Sequence, residues 1–256
     1  MIPLPDEPVI LGLIGFPLTH SFSERYFREK FEREGISGYE YRNFPIPGIG
    51  EMKDLVRGEP RLAGLNVTIP FKEVILPFLD DIDEEAAEIG AVNTVRIERR
   101  GTRIYQKGFN TDAYGFRESL IPLLRGQYSK ALILGTGGAS KAVGHALDQL
   151  GIHWQYVSRK KLPGHLQYRD LCLSVIRNAT LIINTTPLGT YPDIETFPDI
   201  PYDVLTDEHL LYDLVYNPSE TKFLELGKQK GALVKNGLEM LELQAEKSWE
   251  IWTGWE

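Results

Sequence analysis

Leu134-Gly135-Thr136-Gly137-Gly138-Ala139-Ser140 is the stretch whose reading decides the fold. It follows a short apolar run, Ala131-Leu132-Ile133-Leu134, and opens a helical pattern carried by Ala142, Val143 and Ala146. Strand, glycine turn and helix in that order make a dinucleotide-binding unit. The glycines permit a tight turn and let backbone N–H groups approach a pyrophosphate at a helix N-terminus. Ser140 stands where the third glycine of the common pattern falls, and Gly135, Gly137, Gly138 and Ala139 are the candidate cofactor contacts. The next apolar run, Trp154-Gln155-Tyr156-Val157, ends in Ser158-Arg159-Lys160-Lys161. An acidic residue at that point bonds the ribose 2′-hydroxyl of NAD, and none is present. A guanidinium instead grips a 2′-phosphate through paired charge-assisted bonds. The turn therefore predicts NADP over NAD, held by Ser158, Arg159 and Lys160.

Outward from this unit, apolar runs at 181–183, 211–215 and 232–234 continue a strand–helix alternation. Upstream, residues 9–14 read as a buried strand, followed by a helix that Ser23 caps and that buries Phe27 and Phe31 at i,i+4 spacing. Residues 39–44, 65–69 and 92–97 read as further strands, and 103–106 pairs with the last of these across Arg100-Gly101. Strands separated by helices predict βαβ units and parallel sheets. The chain thus reads as two α/β halves joined between residues 108 and 115. Near the C-terminus, Leu238, Leu241, Ala245, Trp249 and Trp252 follow i+3/i+4 steps and form one apolar helix face. Residues 193–203, rich in Pro and Asp, read as a loop.

Composition narrows the function classes. Of 256 residues, 42% are hydrophobic, enough for packed cores. A net charge of −8 argues against non-specific nucleic-acid binding. No secretory signal and no run of ~20 apolar residues is visible, which predicts a cytoplasmic chain without a membrane span. The single cysteine, Cys172, reads as a small core residue in a reducing compartment. Five histidines without i,i+4 pairing and one cysteine make a protein-built metal site unexpected.

Chemistry concentrates in three polar interruptions of apolar segments. Asn66-Val67-Thr68-Ile69-Pro70-Phe71-Lys72 ends a strand, where ligands of open α/β sheets bind, and offers Lys72 as a general acid/base. Gly90-Ala91-Val92-Asn93-Thr94 places the Asn93 amide on an apolar strand, where it needs partners. Gly108-Phe109-Asn110-Thr111-Asp112 lies at the junction of the halves, with Asp112 at the start of a helix. Taken singly, each has an ordinary structural reading: a solvated lysine, a satisfied amide, a helix cap.

Taken together and in order, these segments closely resemble the shikimate dehydrogenase family over essentially the whole chain. Residues 15–23 resemble its N-terminal substrate loop, 66–72 its NVTxPxK segment, 90–94 its GAVNT strand and 110–112 its NTD. Residues 135–139 resemble its GxGGA loop, 184–189 its NxTPxG turn, and 212–216 and 236–245 its two C-terminal segments. The resemblance implies an α/β fold of two domains. One is an N-terminal open-sheet substrate domain, 1–111 plus 237–256; the other is a Rossmann-type dinucleotide-binding domain, 112–236. It implies reversible reduction of 3-dehydroshikimate to shikimate with NADPH. Lys72 is then the catalytic lysine, with Asp112 as its partner. Ser21 and Ser23 hold the shikimate carboxylate with help from Tyr216, while Asn66, Thr68, Asn93 and Gln244 bind the ring. Thr186 and Gly237 join the cofactor set. Relatives of this kind are monomers or homodimers. Many also carry proline after the second serine and a histidine further along the helix, where this chain has Glu24 and Phe27. Three other readings compete: a quinate/shikimate dehydrogenase using NAD, a non-catalytic shikimate or NADP sensor, and an unrelated Rossmann oxidoreductase.

Overall fold

The computed structural model describes residues 7–18, 21–124 and 126–254, and the chain divides into two compact units. One comprises Met1–Thr111 with Gln244–Glu256, the other Asp112–Leu243.

The strands of the first unit are β1 (Val9–Gly15), β2 (Tyr39–Pro45), β3 (Leu62–Val67), β4 (Asp81–Ile82), β5 (Thr94–Arg100) and β6 (Arg103–Phe109). They form one sheet in the order β2-β1-β3-β5-β6-β4. Its helices are α1 (Phe22–Glu34), α2 (Met52–Gly58) and α3 (Glu84–Ile89). Buried on both faces, β1 reads as an unbroken apolar run and β3 as one broken only by Asn66. The sheet is mixed: β1 pairs in parallel with β2 and β3, while β5 runs antiparallel to β3 and, across the turn at Arg100-Gly101, to β6, as the sequence predicts for that pair. After β3 the chain returns through α3 to the same end of the strand it left. Thr94 therefore lies opposite Asn66, and Val67 N–H donates to the Asn93 carbonyl at 2.8 Å.

Ser21, not Ser23, caps α1; its hydroxyl oxygen accepts from Glu24 N–H at 3.1 Å. The capping acceptor must stand outside the helix in extended backbone, which Ser21 does, whereas Ser23 already lies inside it. Phe27 and Phe31 are buried as the spacing predicts. They meet α8 (Leu238–Thr253) through an aromatic cluster: Phe27 lies 5.5 Å from Trp252, and Phe31 lies 5.5 Å from Trp249. Lys30, only 4% exposed, bridges the same two helices, 2.8 Å from Glu34 and 2.7 Å from Glu246. Leu238 departs from the expected apolar face and is exposed.

The strands of the second unit are β7 (Lys130–Leu134), β8 (His153–Ser158), β9 (Leu166–Gln167), β10 (Leu181–Asn184), β11 (Leu210–Asp213) and β12 (Leu233–Lys235). All pair in parallel, in the order β12-β11-β10-β7-β8-β9, which is the Rossmann order. Alternate residues face opposite layers. Ile133, Ile183 and Tyr212 pack with α4 (Asp112–Leu120) and α5 (Gly138–Gln149). Leu132, Ile182 and Leu211 pack with α6 (Leu173–Asn178) and α7 (Lys222–Gln229). The helix α8 serves both units, giving Met240 to the core of the second and Ala245 and Trp252 to that of the first. Cys172, expected in the core, is exposed, because it forms the extended N-cap of α6. Among the described residues no helix is long and apolar enough to cross a membrane.

Buried at the end of β11, Asp213 organises the neighbouring strand end. Asn184 Nδ2 donates to its Oδ1 at 2.9 Å, Val215 N–H to the same oxygen at 3.0 Å, and the Thr221 hydroxyl to its Oδ2 at 2.6 Å. Burial pushes its pKa up from 3.8 to about 6, against the pull of those donors.

Two outcomes follow from this packing. A methyl group at Gly64 would collide with the Trp252 indole, whose N–H donates to the Val95 carbonyl at 3.0 Å. Gly64→Ala is expected to cost about 2–3 kcal/mol, read from urea unfolding by tryptophan fluorescence; an unchanged midpoint would show that the ring has room. For Asp213 the folded state keeps a proton that the unfolded state has lost, so its contribution is full below about pH 4 and falls as pH rises to about 6. At roughly 1.4 kcal/mol per pH unit the fall is about 3 kcal/mol. Asp213→Asn should remove that slope, and parallel pH profiles for variant and wild type would contradict the assignment.

Candidate active site

In the first unit, the sheet ends in a buried network of uncharged polar groups. Asn93 Oδ1 accepts from Thr111 N–H at 2.7 Å, and Asn93 Nδ2 donates to the Thr111 hydroxyl at 2.9 Å. Gln244 Oε1 lies 3.5 Å from Asn93 Nδ2 and 3.4 Å from the Thr111 hydroxyl. Asn66 Oδ1 accepts from Tyr41 OH at 2.7 Å, and Asn66 Nδ2 donates to the Ser248 hydroxyl at 3.1 Å and the Thr94 hydroxyl at 3.2 Å. Burial holds the Tyr41 phenol well above its usual pKa, so the hydroxyl stays protonated, and Ser23 hydrogen-bonds to it. Ser248 stands one turn after Gln244 and links Thr94 at 2.8 Å, Thr111 at 3.2 Å and the Gln244 carbonyl at 2.9 Å. Each amide thus finds the partners that burial demands.

The lysine loop is tied to the same strand ends. Thr68 N–H donates to Ile14 O at 3.0 Å, and Phe16 N–H donates to Ile69 O at 3.1 Å. These bonds hold the loops after β1 and β3 side by side. Phe71 anchors the lysine loop in the core, and Val92 N–H donates to the Lys72 carbonyl at 2.7 Å. Lys72 itself is half-buried. Residues 92 and 93 therefore hold two backbone positions: Lys72 directly, and Thr111, the residue before Asp112. Ser21 accepts from Glu24 N–H and keeps its own hydroxyl proton for another acceptor, at the positive end of the 13-residue α1.

In the second unit the loop after β7, the turn after β8 and the segment after β10 leave the same edge of the sheet. Gly135 N–H donates to Val157 O at 3.0 Å, and Thr185 N–H donates to Leu134 O at 3.0 Å. Strand order reverses between β7 and β10, the position where open α/β sheets bind ligands. Gly135 has φ +118°, and an added Cβ would lie 2.6 Å from Thr185 Oγ1. Gly137 caps α5 without a side chain, and nothing lies within 4 Å of where its Cβ would be. The N-cap of α5 is thus uncrowded on the side of the Gly137 Cβ position, and the first-turn N–H groups of a helix are the donors that suit a pyrophosphate. Ser140, in the third-glycine position, is buried and bonds the Gly137 carbonyl at 2.5 Å. Arg159 and Lys160 are exposed, and the Ser158 hydroxyl accepts from Lys160 N–H at 3.1 Å. These groups fit a phosphorylated dinucleotide.

Thr186 is fixed through Asn184, whose Oδ1 accepts from Thr186 N–H at 3.0 Å and from its hydroxyl at 2.6 Å. Gly237 has a packing reason as well: any side chain there would strike the Leu214 carbonyl. In the first unit the structure brings together Asn66, Asn93 and Gln244 through shared partners, and sets Thr68 beside the Gly15 loop. Tyr216, half-buried, belongs to the second unit, as does Asp112. Sequence reasoning missed Tyr41, Thr94 and Ser248, which bear the network; only the i,i+4 step from Gln244 pointed to Ser248.

Residues 13–95 match the shikimate dehydrogenase substrate binding domain family. Across the chain, a shikimate dehydrogenase (NADP(+)) of Halothermothrix orenii is 37% identical, with 96% of this chain and 91% of the relative covered. The crystal structure of shikimate dehydrogenase from Aquifex aeolicus superposes with a TM-score of 0.85 at 35% identity, covering 100% of this chain and 96% of that one. That of the Thermus thermophilus enzyme, in complex with NADP(H) and shikimate, gives 0.82 at 33% identity, covering 96% and 94%. Similarity of this extent, on a Rossmann sheet with an N-terminal unit of matching pattern, shows that the chain belongs to the shikimate dehydrogenase family.

Proposed function

We propose that this chain reduces 3-dehydroshikimate reversibly: 3-dehydroshikimate + NADPH + H⁺ ⇌ shikimate + NADP⁺. The observation that carries the proposal is that one strand end of the first unit holds both the lysine loop, where Val92 N–H donates to the Lys72 carbonyl, and the buried polar network, where Asn93 Oδ1 accepts from Thr111 N–H and Asn93 Nδ2 meets Gln244.

Bound NADPH supplies the hydride. The backbone N–H groups of Gly137, Gly138 and Ala139 at the α5 N-terminus would hold its pyrophosphate, with Gly135 making the tight turn that lets the backbone approach it, and Ser158, Arg159 and Lys160 would hold its 2′-phosphate. Thr186 and Gly237 border the nicotinamide end. The Lys72 ammonium donates to the ketone oxygen, stabilises the growing negative charge and delivers the proton. In the oxidising direction neutral Lys72 accepts the hydroxyl proton. Asp112 orients Lys72 and accepts from a ring hydroxyl. Ser21 and Ser23 donate to the substrate carboxylate at the α1 N-terminus, with Tyr216 assisting. Thr68, Asn93 and Gln244 meet the ring hydroxyls, and Asn66, its amide engaged with Tyr41, Thr94 and Ser248, holds that wall in register. The enzyme acts in the cytoplasm, with residues 1–111 and 237–256 as substrate domain and 112–236 as cofactor domain, as a monomer or homodimer.

Lys72→Ala is expected to lower kcat by about 10²–10⁴-fold with little change in KM, in a 340 nm assay with shikimate and NADP⁺. Retention of more than half the turnover would remove Lys72 from the chemistry. Arg159→Ala should raise KM for NADP⁺ on the order of tenfold and leave the NAD⁺ rate unaltered. An equal loss with both cofactors would place Arg159 outside the 2′-phosphate site.

A further inference from the structure

The turn from Asn184 to Thr186 carries hydrogen bonds of defined sense. Asn184 is fully buried, and all four hydrogen-bonding positions of its amide are taken. Its Nδ2 donates to Asp213 Oδ1 at 2.9 Å and to the Leu188 carbonyl at 3.4 Å. Its Oδ1 accepts from Thr186 N–H at 3.0 Å and from the Thr186 hydroxyl at 2.6 Å. The amide cannot be turned over. Its oxygen would then face the Asp213 carboxyl, both of whose oxygens already accept, from Val215 N–H and the Thr221 hydroxyl, and its NH₂ would face the Thr186 N–H.

A hydroxyl has one proton, and that of Thr186 is committed to Asn184. Towards any further group Thr186 is therefore an acceptor only. Leu188 N–H donates to its oxygen at 3.3 Å, which leaves one lone pair on a half-buried side chain. The turn also stands where one end of a dinucleotide must lie. The basic turn after β8 suits the adenosine 2′-phosphate and the α5 N-terminus suits the pyrophosphate, so the other nucleoside extends over β10, on the far side of β7. Thr186 Cγ2 lies 3.3 Å from where a Cβ on Gly135 would be, which puts Thr186 against the glycine turn on that side.

On the NADP reading given above, we propose that Asn184, its sense fixed by Asp213, is a positioning residue that makes Thr186 the acceptor for the carboxamide N–H of the nicotinamide. Ribose hydroxyls donate or accept as needed and gain nothing from a committed partner. The carboxamide is different, because it carries an NH₂ and an oxygen on opposite arms of one planar group. A freely rotating hydroxyl bonds either arm. A committed acceptor takes only the NH₂ and so fixes which way the carboxamide lies.

The test is calorimetric binding of NADP⁺ and of its 3-acetylpyridine analogue, in which a methyl group replaces the NH₂ and the carbonyl is kept. Wild type should bind NADP⁺ about tenfold tighter than the analogue, the loss that one hydrogen bond accounts for. Thr186→Val keeps the side-chain shape and the backbone bond to Asn184. It should bind the two ligands alike, through lost affinity for NADP⁺ rather than gained affinity for the analogue. Thr186→Ser should restore the preference. Asn184→Ala releases the hydroxyl to rotate and should narrow the preference in the same way, whereas a purely structural role would weaken both ligands equally. If Asn184→Ala does not fold, the two Thr186 variants decide. No preference in wild type, an undiminished preference in Thr186→Val, or an equal loss of both ligands there would overturn the inference and leave the NADP assignment standing. Failure of wild type to bind NADP⁺ would instead strike the cofactor reading itself, and this assignment with it.

Discussion

The hydrogen bond from Thr111 N–H to Asn93 Oδ1, 2.7 Å long and fully buried, is the constraint on which the polar network of the first unit depends. A primary amide in an apolar sheet is tolerated only when its donors and acceptor are all met. Meeting them draws in the end of β6, the polar side of α8 and, through Thr94 and Ser248, the Asn66 amide of β3. These partners come from β3, the segment after β6, and α8. Satisfying one amide therefore fixes the relative heights of several strand ends and one helix. The residues that the family resemblance assigns to the substrate ring sit on or beside those ends.

The second unit meets the same demand with a charge. Asp213 gathers Asn184, Val215 and Thr221, and Asn184 in turn fixes Thr186. A carboxylate offers more acceptor capacity than an amide and suits a site where every neighbour donates. The cost is desolvation, visible in a pKa raised to about 6. Uncharged groups build the network in the first unit, beside the residues proposed to meet an anionic substrate. The buried anion is kept behind the Asn184–Thr186 turn, where it acts only through the residues it orients.

What the sequence disclosed divides along a physical line. The Rossmann unit was legible because its signals are local: apolar runs buried on both faces, glycines where the backbone turns tightly, and a cationic turn after β8. The β5–β6 hairpin was legible too, from the turn at Arg100-Gly101, but the antiparallel pairing of β5 with β3 was not, since strand direction depends on where the chain re-enters rather than on composition. The cap of α1 was misplaced by two residues because both serines fit the preference and only backbone geometry separates them. Cys172 looked like core because it lies in an apolar stretch, yet it falls on the extended turn before α6. Lys30, a lysine on a charged helix, gives no local sign of being buried between two glutamates. Most of the polar network was out of reach for the same reason. Ser248 bonds Asn66 across 182 residues, and no periodicity links them.

Charge distribution explains why the few exposed cations carry so much of the proposed recognition. The chain has a net charge of −8, yet the proposed cofactor and substrate are both anions. At physiological ionic strength the repulsive field of the whole molecule is screened within about 8 Å, so only charges near the binding groups decide the outcome. The cationic turn at Arg159 and Lys160 beside the α5 N-terminus, and the α1 N-terminus beside Ser21, supply positive potential within that distance. Leaving Arg159 exposed avoids the desolvation that a buried guanidinium would suffer before the phosphate arrives. An acidic protein can thus select anionic ligands provided its donors are local and preorganised, which the two helix N-termini and the basic turn are.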